Sequence, residues 1–451
     1  MIEGVCKGDV MDVVHIGRPL QQSAKWKGGT SLRRAGPDKL PETAVHYPQH
    51  GFTHVDAPCH MIRGGAALED CRLSQLCNWA SLVDVSDTVP SGAVTAELLE
   101  ARAGHARPGD ILLLRSGLSE RFSSESPEYT HESPYVDASG SRWIAENGFC
   151  ALAIDFPQDY LAREMSRRVV RTHEFTEHQI VLGAGLMHLE HVRGLDQLKT
   201  ERVFLAGLPL RLAGRADGGP ASPVVLTDCP SHNPSAWELS LPVDADWRGR
   251  VERFFTLSFE SGDQVQETGV QFAGPSHTHV LTPRYVDPDA AGVDGWIGTP
   301  LVRDYDIVDL ADLPDGRGIS RSALETRFPE PNRGAVLLRT GYMDRVPYTH
   351  LEWEERSPWL ETDAAQFLVD KGCSVVALDF EADAGRKRLK GETPSLAELD
   401  AEKIILGSGA ALVKNLQATT ALTGQVVTLV VMPLLLPGAE SAPARVVGLK
   451  W

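Results

Sequence analysis

The sequence contains the same pattern twice, and no other feature constrains its fold as much. Setting His279 on His54, an offset of 225, places His277-Thr278-His279-Val280 over Phe52-Thr53-His54-Val55. At an offset of 224, Leu113-Leu114-Arg115-Ser116-Gly117 meets Leu337-Leu338-Arg339-Thr340-Gly341, Asp155-Phe156 meets Asp379-Phe380, and Gly183-Ala184-Gly185 meets Gly407-Ser408-Gly409. Self-similarity at one fixed period marks a duplicated unit. Length agrees, since 451 residues exceed what one ordinary core organises. The expected organisation is a first unit over 1–212, a connector over 213–248 rich in Gly, Pro, Ser and Asp, and a second unit over 249–451. Trp237 and Leu239 predict that the connector lies on the protein rather than hanging free.

Each unit alternates short β-branched runs with helical stretches, which marks an α/β fold. Ser81–Val85, Ile111–Leu114, Ala151–Ile154 and Val203–Leu208 read as strands, with Thr95–Ala101 and Ala138–Glu146 as helices. Ile307–Leu310, Val336–Leu338, Ser374–Leu378 and Val426–Val431 repeat the strand order. The longest apolar run, Val426 to Leu436, is too short to span a bilayer and holds Pro433, so it reads as a buried strand. Residues 120–135 read as a surface loop near the site, whose Tyr129 and Tyr135 either line a substrate mouth or are solvated.

In the first unit, His50-Gly51-Phe52-Thr53-His54-Val55-Asp56-Ala57-Pro58-Cys59-His60 gathers three histidines and a carboxylate. Imidazole nitrogens and carboxylate oxygens are the usual ligands of zinc and manganese, and three protein ligands leave a coordination position for water. His54 and Asp56 stand two apart, so in an extended segment they share a face. His50 joins them only if the chain turns, which Gly51 permits. The expected ligands of a divalent zinc or manganese ion are therefore His50, His54 and Asp56, with His60, beyond Pro58, as the catalytic proton carrier. Cys59 reads as a small buried filler.

The second unit has lost this set. His50 faces Pro275, Asp56 faces Leu281, His60 faces Tyr285, His178 faces Glu402 and Glu190 faces Lys414, and only His54 keeps a histidine, His279. A lone histidine beside Lys414 does not hold a catalytic divalent ion, so the second unit is expected to be catalytically silent.

The run from His50 to His60 resembles H-x-G-T-H-x-D-x-P-x-H, the signature of the cyclase family, which contains bacterial kynurenine formamidases, isatin hydrolase-like enzymes and some aromatic polyketide ring cyclases. Gly51 and Phe52 stand where the family has a variable residue and then Gly, so the turn is expected to shift by one. His178-Gln179-Ile180, leading to Leu189-Glu190, resembles the family's helix-opening histidine and the glutamate twelve residues later. The resemblance implies that His178 and Glu190 either complete a second metal position bridged by Asp56 or hold the water of a single-metal site. Ile154-Asp155-Phe156-Pro157-Gln158-Asp159 departs from the family's Asp-x-Pro-Ser-x-Asp at Gln158, a candidate pocket residue whose size and donor pattern differ from serine's, so the formamidases' substrate does not carry over from the motif alone. Ala442–Val446 resembles the family's closing strand better than Ser222–Val225 does. The resemblance further implies the swivelling β/β/α fold, here as two tandem copies forming an intrachain pseudo-dimer in which the second copy replaces a partner subunit. Further homo-oligomerisation stays open.

A net charge of −17 lacks the basic footprint of nucleic-acid or anionic-membrane binding. Residues 1–17 carry Glu3, Lys7, Asp9 and Asp12 and no apolar run of signal-peptide length, and the seven cysteines lack regular spacing. The expected location is the cytoplasm and the expected partner a small-molecule substrate. Nucleophile-elbow, phosphate-loop and His-Glu-x-x-His patterns are absent from the sequence. Three functions fit. The leading one is hydrolysis of an amide, formamide or lactam carbonyl by metal-activated water, with His60 passing a proton to the leaving nitrogen. The second is ring closure of a poly-β-ketone through a metal-stabilised enolate. The third is a non-catalytic binding protein, which the intact first-unit ligands oppose.

Overall fold

The computed structural model describes residues 12–451 apart from 24, 27, 34–40, 49, 158, 165–167, 169, 245–250, 351 and 387–394. Gln158 and part of the connector lie outside the described residues. The fold is mixed α/β, built on two large sheets and a smaller one between them.

The first sheet runs in the order Val13–His15, Val224–Leu226, Arg202–Ala206, Cys77–Asp84, Ile111–Arg115, Ala151–Ile154, Met187–Glu190, His54–Asp56 and Gly218–Pro220. Its central strands are parallel and fully buried, which explains their continuous Ile/Leu/Val/Ala composition. Gly218–Pro220 pairs with one edge and Val224–Leu226 with the other, so one short segment closes the sheet into a barrel. The second sheet closes the same way. Ser441–Lys450 pairs through its first residues with His279–Leu281 and through its later ones with Val426–Pro433. Ser235–Glu238 adds to its outside. The expected connector therefore supplies strands to both sheets.

The predicted strands coincide with observed ones to within a few residues, as do the helices Ala96–Arg102 and Ala138–Glu146. Each helix starts where a side chain caps it: Thr95 accepts from Leu98 N, and Asp137 accepts from Ser139 N and Gly140 N. Residues 120–135 depart from the surface-loop expectation. Pro127–His131 forms a helical turn that buries Tyr129 completely, because its ring packs against His191 and its hydroxyl is hydrogen-bonded inside.

Corresponding positions of the two halves carry the same local geometry. Asp155 accepts from Ser116 N, Ser116 Oγ and Gly117 N, as Asp379 does from Thr340 N, Thr340 Oγ1 and Gly341 N. Gly117 and Gly341 have φ 69° and 67°, a conformation that costs glycine little. In the smaller sheet, Glu42–Pro48 of the first half pairs antiparallel with Glu267–Ala273 of the second, flanked by Gly29–Arg33 and Val251–Leu257. His46 lies opposite Gln271, with Val45 facing Phe272 and Tyr47 facing Val270. Among the described residues, no helix is long and apolar enough to cross a membrane.

Candidate metal centre

The strand His54–Asp56 lies between Met187–Glu190 and Gly218–Pro220, with Glu190 opposite His54 and both His188 and Gly218 opposite Asp56. Strand alternation therefore presents His54, Asp56, His188 and Glu190 on one face. His54 Nε2 is 3.1 Å from Asp56 Oδ1 and 3.8 Å from Glu190 Oε2. His50 reaches the same carboxylate, its Nδ1 lying 2.7 Å from Asp56 Oδ1. Gly218 makes room for it: a Cβ there would come within 2.7 Å of the His50 ring.

The turn that brings His50 in is not made by Gly51. Phe52 carries the left-handed backbone, φ 57°, and His277 repeats it at φ 54° in the second half. This corrects the expected shift of the turn. The left-handed residue stays where the family has Gly, and Phe52 tolerates the strain because its ring is buried against Trp26, 4.7 Å between centroids. Gly51 serves a different purpose, since a Cβ there would crowd Trp26 at 3.0 Å.

His60 stacks on His50 with centroids 3.8 Å apart. Its Nδ1 is 2.7 Å from the carbonyl oxygen of Gln266 and 3.2 Å from Asp217 Oδ2. Both partners are acceptors, so Nδ1 carries the proton and Nε2 is left for ligation or proton transfer. His178 Nε2 lies 3.4 Å from Asp56 Oδ2 and 3.5 Å from Glu190 Oε1, while its Nδ1 is 2.6 Å from Asp159 Oδ2. His50, His54, Asp56, His60, His178 and Glu190 thus converge on one site, whereas Tyr129 and Tyr135 do not line its cavity.

Several members escaped the sequence reading. Asp217, fully buried, holds His50 Nε2 at 2.7 Å and receives the hydroxyl of Thr268 from the second half. It sits in the stretch read as connector, 157 residues from His60, where no local spacing reveals it. Asp159, Glu177, His188 and His191 also belong to the buried cluster. Asp159 directly follows Gln158 in its motif, and His188 and His191 flank Glu190.

The donors form three groups with ligand atoms within 4.8 Å of one another: His50, Asp56 and His60; His54, Asp56 and Glu190; and Asp159, Glu177 and His178. Asp56 belongs to two of them. Burial raises the cost of its charge, but His50 and His54 outweigh that and hold its carboxyl well below the usual range. Burial likewise opposes charge on His50, yet Asp56 and Asp217 raise its pKa well above the ordinary value. Asp56, Asp159 and Asp217 have only histidines as cationic side-chain partners among the described residues, while burial pushes the carboxyl of Glu177 well above its usual range. Such buried carboxylates are balanced by protonated histidine, as at His50, or by a bound cation. Oxygen and imidazole donors at this density suit zinc or manganese, so the residues present fit a divalent ion.

The site opens into a cavity of about 790 Å³. Its walls join the polar cluster to Met61, Val170 and Phe175 and to Leu257, Val265 and Glu267 of the second half. At the corresponding position of the second sheet a buried lysine replaces the glutamate. Lys414, opposite His279, is 1% exposed and bonds Glu402 Oε1 at 2.6 Å and the carboxylate of Glu381. No metal-ligand group occurs there among the described residues.

The sequence profile described as putative cyclase matches residues 14–158 and 222–383. The chain belongs to the cyclase family. Kynurenine formamidase of Salinibacter ruber is 26% identical over 214 residues, covering 47% of this chain and 91% of that protein. Among solved structures, a potential metal-dependent hydrolase with cyclase activity is 22% identical with a TM-score of 0.39, over 49% of this chain and 100% of its own. Isatin hydrolase A from Labrenzia aggregata is 17% identical with a TM-score of 0.40, over 49% of this chain and 95% of its own. These cyclase-family relatives are hydrolases by name.

Proposed function

We propose that the chain hydrolyses an amide, formamide or lactam carbonyl of a small aromatic substrate, using a divalent ion held by His50, His54 and Asp56, with His178 and Glu190 completing a second position or holding water. The observation that carries this reading is the cavity in which the buried donor cluster meets an apolar wall, a composition suited to a carbonyl on an aromatic ring. A bound divalent ion lowers the pKa of water and polarises a carbonyl. The chain supplies the rest. Phe175, Leu257 and Val265 flank the ring and exclude water, and His60, anchored at Nδ1, takes a proton at Nε2 from the attacking water and passes it to the leaving nitrogen.

The two halves are proposed to be tandem copies, the first ending after Leu226, facing each other across a pseudo-two-fold axis at the His46–Gln271 pair. Reciprocal contacts support this. Asp217 of the first half receives Thr268 Oγ1 of the second, and Glu440 Oε2 of the second receives Thr43 Oγ1 of the first at 2.6 Å. Such exchange of equivalent partners is what an isologous interface produces.

The test is incubation of the metal-loaded chain with N-formylkynurenine and with isatin. Release of formate or of the ring-opened acid is expected, and His60→Ala should slow it by about two orders of magnitude with metal content unchanged. Absence of hydrolysis together with ring closure of a poly-β-ketone would replace this reading by the cyclase one.

A further inference from the structure

His191 belongs to none of the ligand groups, yet it lines the cavity, its ring centroid 5.7 Å from that of His54. Its backbone is left-handed, φ 56°, and its carbonyl oxygen is clamped by Arg18 Nε and Thr53 Oγ1, both at 2.9 Å. Its Nδ1 lies 3.0 Å from the hydroxyl of Tyr129, whose oxygen also receives Arg18 Nη2 at 3.1 Å. On the other side, Nε2 is 3.6 Å from Glu190 Oε2.

The donor directions follow from the partners. Arginine only donates, so the Tyr129 oxygen accepts from Arg18. The tyrosine proton then has two acceptors, His191 Nδ1 at 3.0 Å and the Asp155 carbonyl oxygen at 3.3 Å. The carboxylate of Glu190 favours a proton on His191 Nε2, which leaves Nδ1 as the acceptor for Tyr129. Every hydrogen in the chain therefore points from Arg18 toward the cavity, and the guanidinium at the outer end polarises each bond in turn. The second half breaks this line. Asn415 stands at the position of His191 with the same left-handed backbone, φ 61°, but its Nδ2 donates to the carbonyl oxygen of His277 at 2.8 Å and to the hydroxyl of Tyr348 at 3.4 Å, which reverses the direction of the tyrosine contact.

We propose that His191 donates its Nε2 hydrogen to the oxygen of the substrate carbonyl, with Tyr129 and Arg18 as positioning residues that fix its tautomer. This rests on the carbonyl-hydrolysis reading above. Preorganised donors of this kind act where negative charge develops on that oxygen.

The experiment uses the full-length, metal-loaded chain with N-formylkynurenine and isatin as probes, and metal content is measured for each variant. His191→Phe is expected to lose about a hundredfold or more in kcat with metal content unchanged. His191→Gln, which keeps an N–H, should restore much of the rate. Nitrogen-15 spectra of histidine-labelled protein should show His191 protonated at Nε2, and Tyr129→Phe should redistribute that proton while lowering kcat more than it raises KM. Wild-type hydrolysis that His191→Phe leaves within twofold, or an Nδ1-protonated His191 in wild type, would overturn the proposal alone. No hydrolysis of either probe by wild type would overturn the functional reading and this role with it.

Discussion

Two strands at equivalent places in the two halves end in opposite charges. In the first, Glu190 lies opposite His54 beside Asp56; in the second, Lys414 lies opposite His279 beside Leu281. The strand order, the left-handed residues and the aspartate-capped glycine turns are common to both. The difference is how buried charge is balanced. The first half gathers Asp56, Asp217 and Asp159 around histidines, a donor set that fits a divalent cation. The second half carries its own cation, with Lys414 inserted between Glu381 and Glu402. One fold thus carries either a candidate metal centre or a lysine-balanced ionic core, and the difference rests on a few inward-facing side chains.

The largest expected effect lies in the lysine-balanced core. Lys414→Met removes the ammonium but leaves Glu381 and Glu402 inside, and breaking a buried pair in this way costs about 3–5 kcal/mol. Denaturant unfolding of the full chain measures it. An unchanged midpoint would mean that Lys414 is not the cation balancing that core.

Next comes the second layer of the candidate metal centre. Asp217→Asn keeps the shape but weakens its hold on His50 and His60, and loss of such an outer partner is expected to lower metal affinity by about 10–100-fold. Competition against a chelator reads this directly. In the second half Glu440 turns instead to Thr43, so Glu440→Gln should leave metal affinity unchanged.

The smallest effect concerns protons. Burial pushes His188 down to about 4 from its ordinary 6.5. The unfolded chain therefore binds that proton first, and the stability His188 confers is present above pH 6.5 and lost as pH falls toward 4. In chelator-treated protein this amounts to about 1 kcal/mol between pH 6.5 and 5.5. His188→Leu, which copies Leu412 of the second half, should flatten that part of the pH profile. An equal slope in the variant would place the acid sensitivity elsewhere.

The sequence revealed what short-range pattern encodes. Buried parallel strands show as apolar runs, and His50, His54, Asp56 and His60 show through their spacing. Glu190 and His178 needed the family pattern, because their distances in sequence carry no geometric meaning alone. Asp217 stayed hidden because the segment that closes the barrel is short and rich in Gly and Pro, the composition of a linker. The left-handed turn at Phe52 is not legible in the sequence because the neighbouring glycine is the ordinary carrier of such a turn, and packing against Trp26 overrides that preference here. Tyr129 and the walls from Leu257 to Glu267 depend on contacts between elements far apart in the chain, which local pattern does not encode.

The central claim is that the ion belongs to the first half and that the second half, built on the same strands, holds none. Elemental analysis of the purified full-length chain beside His54→Ala and His279→Ala tests it most directly. The account predicts that His54→Ala loses the bound zinc or manganese while His279→Ala retains the wild-type amount. Wild-type metal content in His54→Ala, or its loss in His279→Ala, would contradict it.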